Sequence, residues 1–245
     1  MQISTKGLVI KEQTIGESDR LVTLLTADYG LIKAFVRRAK QSKSRLGSAT
    51  TLFAYSDFTL YRTKDAFSVS DAVPVEVFFN LRRDIERLTL AQYFAQLAYE
   101  LSAEEQPETE LLRLLLNSLH LLCKSSKSPA QIKSVFELRA LCVGGFMPSV
   151  LACDQCGTYE TDFMYFDPLE GKIYCDNCGR NGAIRVPKNV ITAVRFICLT
   201  EPDKIFSFKL DENNMSLLND ITEKYMMMCV NRSLSALEFY KGLIG

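Results

Sequence analysis

Two short cysteine motifs, separated by eighteen residues, decide how the second half of this chain folds. They read Cys153-Asp-Gln-Cys156-Gly157 and Cys175-Asp-Asn-Cys178-Gly179. Four thiolates at this spacing fit a tetrahedral zinc ion, and the glycine after each pair allows the backbone turn that directs amide groups toward the sulfur atoms. We therefore predict a zinc ribbon. Its expected ligands are Cys153, Cys156, Cys175 and Cys178. A disulfide framework and four independent buried thiols are the alternative interpretations.

A site made of four cysteines would hold a structural zinc ion. Catalytic zinc keeps one coordination position open for water, whereas four cysteines fill the shell. The single histidine, His120, lies in an apolar helical run and is expected to be a helix-face or core residue. Between the motifs, the residues predict a β-hairpin with strands at 162–166 and 172–174 and a turn at 167–171.

Composition limits the class of protein. The chain has 245 residues, of which 47% are hydrophobic, enough for one large or two modest domains with proper cores. It has no run of eighteen apolar residues and its first residues lack the apolar segment of a signal peptide, so we expect a cytosolic protein without a membrane span. The remaining cysteines stand singly in helical patterns, which fits buried thiols in a reducing compartment. They are Cys123, Cys142, Cys198 and Cys229.

The distribution of charge is more informative than its sum, because the 29 basic residues equal the 29 acidic ones. Residues 31–47, which we call the basic segment, carry six cations and no acid. These cations are Lys33, Arg37, Arg38, Lys40, Lys43 and Arg45. By contrast, residues 102–110 are acidic and indicate an interhelical loop.

Strand signals fill the first part of the chain and helix signals the rest. Five short strands are expected at 4–11, 21–26, 31–36, 51–62 and 66–72, which predicts a small closed barrel. The five-stranded OB barrel is the best-known solution of this size, and an SH3-like barrel stays open. Beyond Pro74 the apolar period becomes helical. Helices are expected at 78–101, 109–124, from 129 to the glycines at 144–145, from 187, and from 211 to 243 with a break near Arg232. Their apolar faces need one another, so the ribbon is interpreted as an insertion, at about residues 148–186, into a helical bundle.

The basic segment on a small barrel favours binding of a phosphate backbone. If residues 31–36 form a strand, alternation places Lys33 on the outside and the following cations in a loop beside the barrel face. Aromatic residues of the next two strands would stack on unpaired bases where they face outward, although most should fill the core. They are Phe53, Tyr55, Phe58, Tyr61 and Phe67.

Several motifs together resemble the RecO family of recombination mediators. The N-terminal motifs are Gly16-Glu-Ser-Asp-Arg20, Leu24-Leu-Thr26, Tyr29-Gly30 and Arg37-Arg38 to Arg45. The later ones, in the order and spacing of that family, are Phe136-Glu-Leu-Arg139, Gly145-Phe-Met-Pro148, Cys153-x-x-Cys156, and a terminal helix with Arg232 and Ser235. The likeness covers essentially the whole chain, and its specificity comes from the combination of barrel, helical bundle and inserted ribbon.

The resemblance implies an α+β multidomain protein: an OB-fold nucleic-acid-binding domain at residues 1–77 and a helical domain with the zinc-ribbon insertion at 78–245. Proteins of this family bind single- and double-stranded DNA, anneal complementary strands and, with RecR, help load RecA onto DNA coated by single-strand-binding protein. They use no nucleotide and break no covalent bond, so no enzymatic activity is expected. The basic face of their OB domain maps here onto the six cations of the basic segment.

Further implications concern partners and the metal. Family members dock the acidic tail of single-strand-binding protein on the helical domain, for which Arg139 and Arg195 are candidate contacts. Some relatives lack the cysteines, which supports a structural Zn²⁺. A cytoplasmic, nucleoid-associated location follows from the same resemblance.

Three other functions remain open at this stage. One is a protein-interaction adaptor with weak DNA affinity, whose basic loop meets an acidic protein tail. The second, a zinc enzyme such as a nuclease, is disfavoured by the closed cysteine shell. The third, a sequence-specific repressor, would need a base-reading helix with a basic face, and the sequence offers none that is convincing.

Overall fold

The computed structural model describes residues 1–39, 46–62, 66–179 and 181–244. Two compact units make up the chain. The first comprises residues 1–124 and the C-terminal residues from 234 onward, and the second comprises residues 125–233. No helix among the described residues has both the length and the apolar character needed to span a bilayer.

The first unit contains a closed five-stranded barrel. Its strands are β1 (Gln2–Ile15), β2 (Asp19–Thr26), β3 (Gly30–Val36), β4 (Ala54–Arg62) and β5 (Phe67–Val77). They pair in the order β1-β2-β3-β5-β4, and β4 returns to β1. The closing pair β3–β5 is parallel and short, whereas the other pairs are antiparallel. This Greek-key order is that of the OB-fold, so the OB prediction is confirmed and the SH3-like alternative is discarded.

Apolar side chains fill the barrel core, and the alternation of buried and exposed residues is interrupted at residues 7–10 of β1 and 22–26 of β2, which are all buried. The inward side chains come from every strand, and several are fully buried. They include Val9, Val22, Leu24, Ile32, Phe58 and Leu60. All five predicted strands are present, with different ends. β1 extends to Ile15 because it continues to pair with β2 across a register shift between Val9 and Lys11. β4 begins only at Ala54, and β5 continues beyond the predicted residue 72 to Val77 because it stays paired with β4.

Helices cover one side of this barrel. The first unit contains α1 (Leu46–Ala49), α2 (Ile85–Leu101) and α3 (Thr109–Lys124), together with a 3₁₀ helix at Phe79–Arg83. Both α2 and α3 contact β1, and α3 also contacts β2. The helix expected from residue 78 is interrupted at Asp84, whose extended backbone allows its carboxylate to accept the Arg87 amide and cap α2.

The second unit packs helices around a small sheet. Its helices are α4 (Pro129–Val143), α5 (Lys188–Leu199) and α6 (Glu212–Val230). Its sheet has the order β7-β6-β8, with β6 (Phe163–Asp167), β7 (Lys172–Cys175) and β8 (Ile184–Pro187). The predicted hairpin is β6–β7, and β8 is an additional strand that the sequence pattern did not indicate. The predicted break near Arg232 follows Asn231, which ends α6 in a left-handed conformation.

The last helix, α7 (Ser235–Ile244), belongs to the first unit, where it packs on α2. The predicted boundary after residue 77 coincides with the end of β5. The compact units divide the chain elsewhere, after residues 124 and 233, so α2, α3 and α7 are grouped with the barrel. The division into domains 1–77 and 78–245 stays a prediction.

Candidate metal centre and nucleic-acid interface

The four predicted ligands converge on one point of the second unit. The sulfur atoms of Cys153, Cys156, Cys175 and Cys178 all lie within 4.8 Å of one another. Cys156 Sγ and Cys175 Sγ are 3.5 Å apart, within the range of ligands that share one ion. Soft thiolate donors select zinc or iron in proteins. The set therefore fits a four-coordinate zinc or iron ion.

The first cysteine motif is shaped by its own backbone. The Gly157 amide donates to the Cys153 carbonyl at 2.9 Å, and the Cys153 amide donates to the Thr158 carbonyl at 2.8 Å. Gly157 has φ +73°, a left-handed conformation that favours glycine, as predicted. Gly179 differs, because its φ is −43°. In the second motif the turn is made instead by the 3₁₀ helix Asp176–Cys178 that follows β7.

The thiols of the cluster differ in proton affinity. Hydrogen bonds, first of all from the Thr158 hydroxyl, lower the pKa of Cys156 to about 6. Hydrogen bonding to Cys156 and Cys175 raises the pKa of Cys178 to about 12. A thiolate at one sulfur thus holds a proton on its neighbour. A divalent cation would remove that conflict by replacing the proton as the shared positive charge.

Contacts in the second unit fix the ribbon. The Asp154 amide donates to the Ile173 carbonyl at 2.9 Å, and the Ser149 amide to the Gly171 carbonyl at 2.7 Å. A side chain at Gly171 would meet the Tyr225 ring of α6 at 2.7 Å, so this close approach requires glycine.

Arg139 and Arg195, the candidate contacts for the tail of single-strand-binding protein, both make hydrogen bonds inside the second unit. Arg139 Nη1 donates to the Cys198 carbonyl at 2.7 Å. Arg195, only 6% exposed, donates from Nε to the Val150 carbonyl at 2.8 Å and lies 4.2 Å from the centroid of the Tyr159 ring. Backbone carbonyls inside the unit therefore account for the positions of both guanidinium groups. The sequence pattern did not indicate this structural role.

In the first unit, the start of the basic segment lies on the outer surface of β3. Ile32, Ala34 and Val36 face the core, whereas Lys33 and Phe35 face outward and are exposed. Lys33 therefore points outward as alternation predicted, and Arg37 and Arg38 are exposed beyond the strand end. Lys40, Lys43 and Arg45 lie outside the described residues.

Two adjacent residues of β2 anchor both sides of the basic segment. The Asp19 carboxylate accepts the Arg38 amide at 2.8 Å, where Arg38 has φ +53°. Arg20 Nη1 donates to the Thr50 carbonyl at 2.8 Å and to the Gly47 carbonyl at 3.4 Å. These contacts give a physical role to the end of the motif Gly16-Glu-Ser-Asp-Arg20. They fix where the chain leaves β3 and where it returns after the basic residues.

Aromatic side chains divide between the core and the surface. Phe53 and Phe58 are buried, as expected for a small barrel. Phe35, which the sequence pattern did not indicate, is 40% exposed, and Tyr61 is 53% exposed. Each of them pairs with Ser68, one from β3 and the other from β4. Because paired residues share a face, these two aromatic side chains lie in one row across the outer surface of three strands.

Lys33 is not an uncommitted charge. Its ammonium lies 3.0 Å from the Glu104 carboxylate, and this hydrogen bond raises the pKa of Lys33. Arg62, at the end of β4, lies 2.6 Å from the Glu105 carboxylate and over the Phe67 ring. Basic side chains therefore pair with acidic ones at this edge of the barrel. The sequence did not predict these pairs, because their partners are far apart along the chain.

These features define an OB-fold protein with a cationic and aromatic strand surface and a separate four-cysteine metal centre. The family model described as Recombination protein O N terminal matches residues 1–78, and the model described as Recombination protein O C terminal matches residues 82–237. The chain therefore belongs to the RecO family. Family membership supports a role in DNA repair and recombination.

Individual relatives agree over nearly their full length. The DNA repair protein RecO of Acetivibrio thermocellus is 35% identical over 243 residues, which cover 98% of this chain and 97% of that protein. The proteins of the same name from Caldicellulosiruptor bescii and Alkaliphilus metalliredigens are each 29% identical, over 239 and 244 residues. In both cases 98% of this chain is covered, together with 98% and 99% of the relatives.

Proposed function

We propose that this protein is a DNA-binding recombination mediator. It binds single- and double-stranded DNA, anneals complementary strands and, with RecR, helps load RecA onto DNA coated by single-strand-binding protein. The observation that carries the proposal is the surface of the OB barrel, where exposed cations follow an exposed phenylalanine on β3 and a tyrosine lies two strands away. Cations suit phosphates and aromatic faces suit unpaired bases of any sequence.

Annealing on this surface requires only electrostatics and proximity. Cations that neutralise the phosphates of two strands reduce the repulsion between them, while aromatic contacts hold bases without reading their order. The expected contacts are the six cations of the basic segment. No nucleotide is consumed and no bond is broken, so we propose a non-enzymatic activity. A cytoplasmic, nucleoid-associated location follows from this role.

The salt dependence of binding tests this mechanism directly. If about six phosphates of single-stranded DNA are neutralised, the slope of log affinity against log salt is about −4. Fluorescence anisotropy with a labelled oligonucleotide measures this slope. Complementary oligonucleotides should also pair faster in the presence of the protein, and alanine at Arg37 and Arg38 should stop that acceleration. A slope near zero, or annealing at the uncatalysed rate, would refute the proposal.

For the metal centre we propose a structural Zn²⁺. Four cysteines leave no open position for a water or a substrate, so the ion would stabilise the ribbon without taking part in a chemical step. Metal analysis of protein purified without chelator is expected to find one zinc per chain, and iron in its place would correct the identity of the ion. Labelled DNA incubated with magnesium or manganese should remain intact.

For the tail of single-strand-binding protein we propose an apolar groove of the second unit. The groove is about 590 Å³ in volume and is lined by Phe196 and Phe208, whose rings are 6.1 Å apart, and by the exposed Lys209. An apolar floor beside a cation suits an acidic peptide that ends in phenylalanine. A labelled peptide of this kind should bind, and both removal of its last residue and Lys209→Ala should weaken binding. Equal affinity for the shortened peptide would exclude this groove.

The second candidate function is an adaptor whose basic surface binds an acidic protein rather than DNA. It is favoured by one observation: Lys33 and Arg62 already pair with carboxylates. Parallel titrations with an acidic peptide and with an oligonucleotide of equal charge separate the two functions. Preference for the oligonucleotide supports the mediator, and preference for the peptide supports the adaptor.

A further inference from the structure

An acidic segment lies along the edge of the barrel and meets its cations. We call residues 102–108, which connect α2 to α3, the acidic strap. Three backbone hydrogen bonds seat it on the barrel. The Leu31 amide donates to the Ala103 carbonyl at 3.1 Å, the Glu105 amide to the Tyr29 carbonyl at 3.1 Å, and the Glu108 amide to the Ala27 carbonyl at 2.9 Å. The strap is therefore positioned by main-chain contacts that do not depend on its charged side chains.

Gly30 provides the seat for this strap. A side chain at this position would lie 2.3 Å from the Ala103 carbonyl oxygen and 2.4 Å from that of Gln106. Gly30 also has φ +59°, which favours glycine. The motif Tyr29-Gly30 is thus explained by close approach of the strap backbone. The strap backbone lies so close to the start of β3 that no side chain fits between them.

From this seat, the strap presents two carboxylates to two cations. Glu104 pairs with Lys33 at 3.0 Å, and Glu105 pairs with Arg62 at 2.6 Å. Glu105 has φ +61°, an uncommon conformation for a residue with a side chain. The strap backbone thus holds Glu105 in a disfavoured geometry while its carboxylate reaches Arg62.

The paired charges line a groove that suits a nucleic-acid strand. The groove is about 520 Å³ in volume, and its lining combines the two ion pairs with the aromatic side chains of Tyr29 and Phe67 and an apolar floor. The floor includes Met1, Ile3, Leu31 and Ile32. Cations beside aromatic faces are the elements with which OB-folds hold unpaired nucleotides. Here the cations are already occupied by carboxylates.

These pairs are of the kind that a polyanion displaces. The four charged side chains are each at least 50% exposed, so their attraction is screened by solvent and salt. A phosphate group carries the same sign of charge as a carboxylate and accepts the same hydrogen bonds from lysine and arginine. Phosphates and the strap carboxylates are therefore alternative partners for the same two cations.

We infer that the acidic strap is an intramolecular competitor of DNA. Single-stranded DNA enters the groove by displacing Glu104 and Glu105, and its phosphates then contact Lys33 and Arg62. This inference rests on the proposed function and adds two elements to it, Arg62 as a DNA contact and a restraint on affinity built into the chain.

The test removes the competing charges without removing the strap. In the full-length protein, E104Q/E105Q keeps the size of both side chains and the backbone contacts. We expect it to bind labelled oligo-dT about tenfold more tightly at 0.1 M salt, because two more cations become available to phosphates. The slope of log affinity against log salt should become steeper by up to about 1.4. Fluorescence anisotropy over a salt series measures both quantities.

Two controls separate competition from a general change in charge. E110Q/E201Q removes two exposed acids that lie outside the strap and should leave affinity nearly unchanged. Adding K33Q/R62Q to E104Q/E105Q should abolish the gain, because the cations that the strap released are then missing. The single changes E104Q and E105Q should each give part of the effect, so the test does not depend on one variant being stable.

The outcomes distinguish this inference from the function on which it rests. In one outcome the wild type binds DNA, but E104Q/E105Q binds it no more tightly than the wild type or the E110Q/E201Q control does. The strap is then not a competitor, and the proposed DNA binding still stands. If neither the wild type nor E104Q/E105Q binds DNA, both proposals fail. Tighter binding that survives K33Q/R62Q would also overturn the inference, since it would show that other cations respond.

Discussion

Two groups of cations, one in each compact unit, serve opposite purposes. In the second unit, Lys133 is 4% exposed, and its ammonium lies 2.8 Å from Glu137 and 2.9 Å from Glu223. In the first unit, Arg37 and Arg38 are exposed at the end of β3. The same class of residue thus holds a fold together in one unit and faces solvent in the other.

Burial explains the difference. A charge removed from water is costly unless it is paired and hydrogen-bonded, so a buried lysine must be matched by carboxylates and becomes part of the fold. An exposed cation loses little hydration and is free to meet a polyanion. Exposed charges that the fold does not pair are therefore the candidates for binding, whereas buried, paired charges contribute to stability.

The largest expected effect is at the metal centre, because the stability of the ribbon depends most strongly on the four cysteine side chains. Cys175→Ala removes a buried ligand and should abolish metal binding and destabilise the ribbon by several kcal/mol, since metal binding in such sites contributes directly to folding. Metal analysis and limited proteolysis of the ribbon measure both losses. Cys123→Ala, outside the cluster, should retain the metal. Full metal content in the Cys175 variant would show that the four cysteines do not act as one site.

The next effect concerns the buried charge network. Lys133→Met should lower the free energy of unfolding by about 3–5 kcal/mol, because it leaves the Glu137 carboxylate buried without its cation. Glu137 is 0% exposed and also accepts the Thr222 hydroxyl at 2.8 Å. Urea denaturation measures the change. K133M/E137M should be less destabilised than Lys133→Met alone, and the reverse order would contradict the assignment of this pair to stability.

A smaller effect on the fold, and a large one on DNA binding, is expected at the exposed cations. R37A/R38A should weaken single-stranded DNA binding about 20-fold at 0.1 M salt and reduce the salt slope by about 1.4, as expected for two lost phosphate contacts. Its melting temperature should stay close to that of the wild type, because neither side chain is buried. A large loss of stability with unchanged DNA affinity would contradict the assignment of these two arginines to DNA binding.

The smallest effect is expected at the anchor of the basic segment. Asp19→Ala removes the acceptor of the Arg38 amide and should cost about 1 kcal/mol of stability. It should weaken DNA binding only a few fold, because the cations remain but their starting position is less fixed. Asp19→Asn retains a side-chain oxygen, so its stability and DNA affinity should lie between those of the wild type and Asp19→Ala. Urea denaturation and anisotropy, done in parallel, compare the variants, and a loss as large as that of R37A/R38A would mean that Asp19 does more than position the loop.

Periodicity and spacing were sufficient for most of the elements and for the convergence of the four cysteines. Strand alternation predicted the five barrel strands and the outward direction of Lys33, and the cysteine spacing predicted the cluster of four sulfur atoms. They were insufficient for β8, for the interruption of the helix at Asp84, and for the exposed Phe35, since short strands, caps and single outward aromatics carry weak local signals.

The amino-acid sequence by itself determined the parts of this protein whose interactions are local. Two cysteines three residues apart reach one ion wherever the ribbon lies, and alternation along a strand decides which residues face the core. Only the tertiary structure decided which charged side chains form ion pairs. Lys33 and Glu104 are 71 positions apart, and Lys133 and Glu223 are 90 apart. Electrostatic interactions depend on distance in space and on burial, and neither quantity is encoded in the spacing of residues along the chain.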